Sequence, residues 1–224
     1  MSNENTLHQY LKDMISKDSS CQEVKVGSYY LDVKIGNKVY EIQTRYLYKL
    51  KDKLEYYLKC GYDVEVIYPL VEHKSCQYIL DGVIQKTTKR STVGKIQDSL
   101  YEIYSIREFI GKISIKIVVL DLIDYRVVKS GNAVTRRNST ASDKIPAQIS
   151  NILELRESRD FIRMVPASLK EEFTSKDFIA ASKMNKAYVG YALRVLEDTG
   201  VIARDGHIGR FIRYRRNRSW NADT

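Results

Sequence analysis

The sequence predicts an α/β protein. Its core runs helix–three strands–helix–strand (αβββαβ), carries a β/α extension, and precedes a small helix–turn–helix–hairpin module. Three observations carry that expectation. The stretch Leu31–Arg45, LDVKIGNKVYEIQTR, reads as two alternating strands flanking Gly36-Asn37, a two-residue turn whose residues accept positive φ at little cost. Residues 46–60, YLYKLKDKLEYYLKC, place Leu47, Leu50, Leu54, Tyr57 and Leu58 at helical spacing ahead of the strand-like 62–70, a passage that normally returns parallel to its starting strand. From Phe173 onward, two short helical patterns lead into a β-type pair rich in arginine.

The chain has 224 residues, enough for one large domain or two small ones, and is 43% hydrophobic and 29% charged, which is ordinary for a soluble globular protein. No apolar run approaches the roughly 20 residues that span a bilayer. The start, MSNENTLHQY, lacks the pattern of a secretion signal, so no membrane association and a cytoplasmic location are expected. Cys21, Cys60 and Cys76 are scattered, as are the three histidines, which argues against a disulfide framework or a zinc site. A net charge of +9 favours a polyanionic partner, nucleic acid before an acidic membrane surface.

In chain order, residues 4–17 carry Leu7, Leu11 and Met14 or Ile15 on one helical stripe, and 22–30 are strand-like with a bend at Gly27-Ser28. The hairpin turn fixes the next register: Ile35 opposes Lys38, Lys34 opposes Val39, Val33 opposes Tyr40 and Asp32 opposes Glu41. Leu31, Val33 and Ile35 then share a face with Tyr40 and Ile42, and Tyr30, Asp32, Glu41 and Gln43 share the other. Two carboxylates placed opposite each other repel unless a cation or proton lies between them. Pro69 is expected to close the strand at 62–70, and a further strand or hairpin follows at 76–88. The basic loop 86–95 ends in Gly94-Lys95, yet Lys89 stands where a P-loop needs its first glycine and Ile96 where it needs Ser or Thr, so that motif is rejected. A helix at about 96–110 leads into the long β-type run 112–128, whose Asp121 and Asp124 read as solvated or loop-end acids. Residues 131–145 read as a linker between a domain spanning 1–130 and a second spanning 146–218, with 219–224 as a tail. Pro146 opens an expected helix over 147–163.

In the second module, Thr174 or Ser175 is expected to cap a helix over Phe178 and Ile179, and Asn185 to cap the next. Gly200 ends that helix, and Val201–Arg215 forms a hairpin about Asp205-Gly206. Over roughly 45 residues this pattern resembles the winged helix-turn-helix family. The resemblance implies a recognition helix at 186–194 presenting Lys186, Tyr188, Gly190, Tyr191 and Arg194 to DNA. The wing and tail hold six arginines (Arg204, Arg210, Arg213, Arg215, Arg216, Arg218) against Asp205 alone. Alternation sets several guanidiniums on one face, suited to phosphate. A solvated terminal strand, or a module for protein contact, is the plainer alternative.

Helix–three strands–helix–strand, with Asp32 on the second strand and Glu41-Ile42-Gln43 on the third, resembles the PD-(D/E)xK nuclease superfamily over about residues 4–70. The whole string, joined to a C-terminal winged helix, also looks like a group of uncharacterised bacterial proteins. The superfamily resemblance implies a restriction-endonuclease-like fold and a metal-dependent deoxyribonuclease. Asp32, Glu41 and the Ile42 carbonyl would hold Mg²⁺, with Mn²⁺ as substitute, and Gln43 would stand where a lysine is usual. Glu4 would add a further acid, with Glu23 as its competitor. Arg45 would clamp a phosphate, and cutting both strands would call for a homodimer. The alternatives are a nuclease fold without catalysis acting as a DNA-binding regulator, and a winged-helix adaptor that binds protein.

Overall fold

The structure, a computed structural model, describes residues 6–217. Helix α1 (Thr6–Ile15) precedes β1 (Gln22–Val26), β2 (Tyr29–Ile35) and β3 (Lys38–Ile42); α2 (Lys51–Lys59) follows, then β4 (Asp63–Leu80). After β5 (Val83–Thr87) and β6 (Ser91–Thr92) come α3 (Ser99–Tyr104), β7 (Ser114–Val128) and β8 (Ser139–Leu155). The chain ends in β9 (Glu172–Phe173), α4 (Ser175–Ser182), α5 (Val189–Asp198), β10 (Ile202–Ile208) and β11 (Phe211–Arg216). The fold is thus mixed α/β. One sheet has the order β1-β2-β3-β4-β7-β8, with β5 and β6 also paired to β4, and a second has the order β10-β11-β9.

The Gly36-Asn37 turn sets the expected register, with Ile35 opposite Lys38 and Val33 opposite Tyr40. The β3–α2–β4 passage returns parallel, Glu41 beside Val66 and Ile42 beside Ile67. Two apolar layers enclose the sheet. Leu54 and Tyr57 of α2 and Leu100 and Ile103 of α3 pack on Leu31, Val39, Val64 and Val66. On the opposite face, Leu7 and Leu11 of α1 pack on Ile42, Ile67, Val118 and Leu120. The single face expected for Leu31, Val33, Ile35, Tyr40 and Ile42 is therefore split. Leu31 lies in the α2 layer, Tyr40 and Ile42 lie in the α1 layer, and Ile35 is exposed.

Strand β4 does not stop at Pro69. It continues to Leu80, beside β7 throughout. Ile67 turns its carbonyl toward β3, where it accepts from the Gln43 N–H at 3.0 Å. Two residues on, the N–H that Pro69 lacks falls on the same side, past the end of β3, so the proline breaks no ladder bond. The helix expected over 147–163 is also absent. Residues 139–155 form β8, antiparallel to β7, and only a 3₁₀ segment follows at Ser158–Met164. Ile149 and Leu153 suit a helical stripe, but the unpaired edge of the long β7 offered hydrogen bonds that outweighed local periodicity. The expected linker accordingly begins as a turn and becomes strand from Ser139.

Asp121 and Asp124 are not solvated ends. Asp124 is buried beside Lys74 at 2.6 Å, and Asp121 binds Arg90 at 2.7 Å and His73 at 3.0 Å. At the C-terminal end, Thr174 caps α4, its N–H and hydroxyl both donating to Asp177, and Asn185 accepts from the Ala187 N–H. Gly200, at φ +76, ends the second helix. The hairpin that follows turns at Gly209-Arg210. Asp205-Gly206 instead forms a bulge within β10, with Gly206 at φ +83.

Candidate functional site

The expected cross-strand pairing of Asp32 with Glu41 does not form; the two acids lie on opposite sides of the point where β2 and β3 part, Asp32 toward α1 and Glu41 toward α2. The ladder between these strands runs to Val33 and Tyr40. Beyond it, Asp32 Oδ2 accepts from the Ile42 N–H at 2.6 Å. A carboxylate thus replaces a backbone carbonyl as partner to that amide, opening the strands and fixing Asp32 at the carboxyl end of β3. From α1, His8 brings Nε2 within 3.1 Å of the Ile42 carbonyl and 3.5 Å of Asp32 Oδ2. Both neighbours are acceptors, which assigns the proton to Nε2.

Glu41 points the other way, into the α2 layer, and is 1% exposed. Its Oε1 accepts from the Tyr57 hydroxyl at 2.9 Å, and its Oε2 pairs with Lys53 Nζ at 2.9 Å. Lys53 also donates to the Tyr30 carbonyl. Burial, and next the charge of Asp32, push the Glu41 carboxyl up to about 7, while Lys53 and Tyr57 pull against that rise. Burial and the Glu41 charge raise the Tyr57 hydroxyl, so it remains a donor. The other buried glutamate differs. Glu65 sits between Lys38 at 2.7 Å and Lys116 at 2.6 Å, and Lys116 also reaches Glu154 at 3.3 Å, an ion-pair network of structural kind. At Glu41, among the described residues, the paired ammonium is that of Lys53 alone.

Gln43 turns its amide to the Arg45 carbonyl. Glu4 lies outside the described residues, as does Arg218. Glu23, at positive φ, pairs with buried Lys12 of α1. Arg45 is exposed beside a cavity under the end of β3. His8 and Lys53 are the site residues the sequence reading missed. The only signal for Lys53 was its position one turn before Tyr57 on the α2 helix, which puts both on one face.

Of the expected DNA-reading side chains of the second module, Tyr188, Tyr191 and Arg194 are engaged within the protein. Tyr188 stacks on Tyr101 of α3 with ring centroids 4.3 Å apart, and Tyr191 packs edge-on against Tyr101 and Tyr104. Arg194 pairs with Asp198 at 2.9 Å, and Lys186 is exposed. The wing guanidiniums, expected to face phosphate with Asp205 as the single acid among them, are largely met by acids. Arg215 bridges Glu172 at 2.8 Å and Asp205 at 2.6 Å, and Arg213 lies 3.4 Å from the same Glu172. Arg216 donates to the carbonyls of Pro166 and Ala167. Arg210 is exposed, its guanidinium near the Phe211 ring. Glu172 escaped a count restricted to Val201–Arg218 because β9 arrives from upstream to pair with β11.

These features define an α/β protein with Asp32 and Glu41 on opposite sides of the carboxyl end of an inner strand, the usual ligand side of such sheets. Residues 5–156 match the family described as "Domain of unknown function (DUF8091)", and the chain belongs to that family. No curated protein and no solved structure matches it. Among the described residues, no helix is long and apolar enough to cross a membrane, all three cysteines are free, and no group of three or more His, Cys, Asp or Glu side chains is arranged to hold a metal ion.

Proposed function

We propose that this protein is a Mg²⁺-dependent, DNA endonuclease-like phosphodiester hydrolase of the PD-(D/E)xK type, with the C-terminal module as a winged helix that helps hold it on DNA. The observation that carries the reading is the placement of Asp32, the Ile42 carbonyl and the buried Glu41 around the carboxyl end of β3. Asp32 and Glu41 flank the carboxyl end of β3, Lys53 pairs with Glu41 at 2.9 Å, and burial, then the charge of Asp32, raises the Glu41 carboxyl to about 7. A small divalent cation held there would offset the charge of the two carboxylates. The carboxylates of Asp32 and Glu41 and the carbonyl of Ile42 would hold such an ion, being hard oxygen donors of the kind Mg²⁺ prefers. Such an ion supplies Lewis acidity toward a phosphodiester and a more acidic bound water.

The chain's own residues have separate tasks. Lys53 supplies, from α2, the positive charge that Gln43 does not bring. His8 orients Asp32 and the Ile42 carbonyl, and Tyr57 keeps Glu41 in one rotamer. The arrangement of Tyr188 and Tyr191 against α3 favours attachment of DNA through other basic surfaces, with Lys186 and Arg210 among the module's exposed cations.

Nicking of supercoiled plasmid with Mg²⁺ or Mn²⁺ tests the reading. Wild type is expected to nick, and Asp32→Ala and Glu41→Ala to be inactive. Cutting by both variants at the wild-type rate removes the site from the mechanism. A second reading, a nuclease fold without catalysis that binds DNA as a regulator, rests on one observation: both oxygens of Glu41 already accept from protein donors. Retained DNA binding with no cutting of any DNA or RNA by wild type selects that reading.

A further inference from the structure

Directly after Gln43 the chain lines a cavity of about 290 Å³ that the acid site does not use. Its wall combines Thr44 and Arg45 with Lys74 of β4 and Lys144 of β8, over an apolar lining of Leu7, Pro69, Val71, Val93 and Leu122. Three cations thus converge from three separate segments. Lys74 is matched by Asp124 at 2.6 Å. Arg45 and Lys144 make no ion pair among the described residues. Cations set against an apolar wall lose hydration on that side, a cost that an anion in the cavity offsets. The wall is built close. Gly94 lies so near β4 that a Cβ there would stand 2.9 Å from the Val71 carbonyl, and this approach brings Val93 over the cavity.

We infer that this cavity binds a terminal phosphomonoester of a nucleic-acid strand, together with the end nucleotide that bears it. Arg45, Lys74 and Lys144 take the phosphate, which carries more charge than an internal phosphodiester, Thr44 donates to it, and the apolar walls cover sugar and base. The volume falls near the lower end of small-molecule sites, about 300–1,000 Å³, which suits one nucleotide and excludes a duplex. The assignment of the ligand to a strand end rests on the nucleic-acid reading above; the cavity and its cations stand apart from it.

The test measures binding of the full chain, in EDTA, to short single strands that carry a phosphate or a hydroxyl at either end. A phosphate at one end is expected to tighten binding at least tenfold, and Arg45→Gln and Lys144→Gln each to reduce that preference to under twofold with an unchanged unfolding midpoint. A free nucleoside monophosphate should compete for the phosphorylated strand at lower concentration than inorganic phosphate. Equal affinity for phosphate and hydroxyl ends, survival of the preference in the double variant, or equal competition by inorganic phosphate overturns the proposal. Because no metal is present, an end preference in a protein that never cuts DNA fails the nuclease reading and leaves the cavity assignment standing. Loss of end preference in an active nuclease does the reverse.

Discussion

Lys53 Nζ lies 2.9 Å from Glu41 Oε2, joining a helix that begins nine residues after β3 to the acid inside that strand. The ammonium is partly exposed and the carboxylate is not. The pair therefore couples a group that water reaches to one that it does not, and the pH behaviour of the protein follows from that difference.

The first prediction concerns stability without divalent metal. Glu41 titrates at about 7 when folded, against an ordinary value of 4.5. Between those pH values the folded state holds a proton that the unfolded state has released, so stability falls as pH rises across the window and levels off above it. The loss is roughly 3 kcal/mol, each pKa unit being worth about 1.4 kcal/mol. Urea unfolding in EDTA at pH 4.5 and pH 8 measures it. Glu41→Gln should flatten the difference, and an equally steep dependence in that variant assigns the effect elsewhere.

The same midpoint should respond to metal. At pH 8, Mg²⁺ at about a hundred times its dissociation constant is expected to stabilise wild type by about 2.7 kcal/mol. Asp32→Ala and Glu41→Gln should show no such gain. A gain retained in both variants places the ion at another site.

Lys53→Met removes one partner of a mostly buried pair. The expected cost is about 1–3 kcal/mol at pH 8, below the range for fully buried pairs because the lysine reaches water. At pH 5, where Glu41 is neutral, the cost should shrink. The double variant with Glu41→Gln should recover part of the loss, and a double-mutant cycle in urea measures the coupling. In the nicking assay, Lys53→Met should lower activity more than Gln43→Ala.

For nucleic-acid binding, acids compensate the wing and leave the far end of the long sheet bare. Arg213 and Arg215 are answered by Glu172 and Asp205, whereas Lys129, Arg136 and Arg137, in the turn from β7 to β8, are exposed and form no ion pair among the described residues. Replacing these three by Gln should flatten the salt dependence of DNA affinity, by about 0.9 in log–log slope for each phosphate no longer neutralised. Replacing Arg213 and Arg215 should change the slope less. The opposite ranking, read from fluorescence anisotropy across a salt series, returns the main binding surface to the wing.

The Tyr101–Tyr188 stack joins α3 to the chain leading into α5. Tyr101→Ala is expected to cost about 1–2 kcal/mol, the stacking itself accounting for about 0.5–1.5 kcal/mol, with a lowered unfolding midpoint. If DNA affinity rises in the same variant, the stack also masks a binding face.

By itself the sequence determined what nearest neighbours control. Gly36-Asn37 fixed a turn and hence a register, leucine spacing fixed α2, and Thr174, Asn185 and Gly200 fixed the ends of two helices. It also brought Asp32 and Glu41 into one neighbourhood, because a hairpin's geometry is local. What it could not determine was settled between distant segments. Whether Ile149–Leu153 became helix or strand depended on β7, the passage of β4 through Pro69 depended on where β3 stopped, and the charge of the wing depended on Glu172 arriving from β9. The acid pair shows the same division. The turn placed the two carboxylates, but the Ile42 amide turned Asp32 aside and α2 supplied the lysine. Apart from the Ile42 amide, which lies within the hairpin itself, those interactions join separate segments, and their energies exceed the few tenths of a kcal/mol by which local pattern prefers one conformation over another.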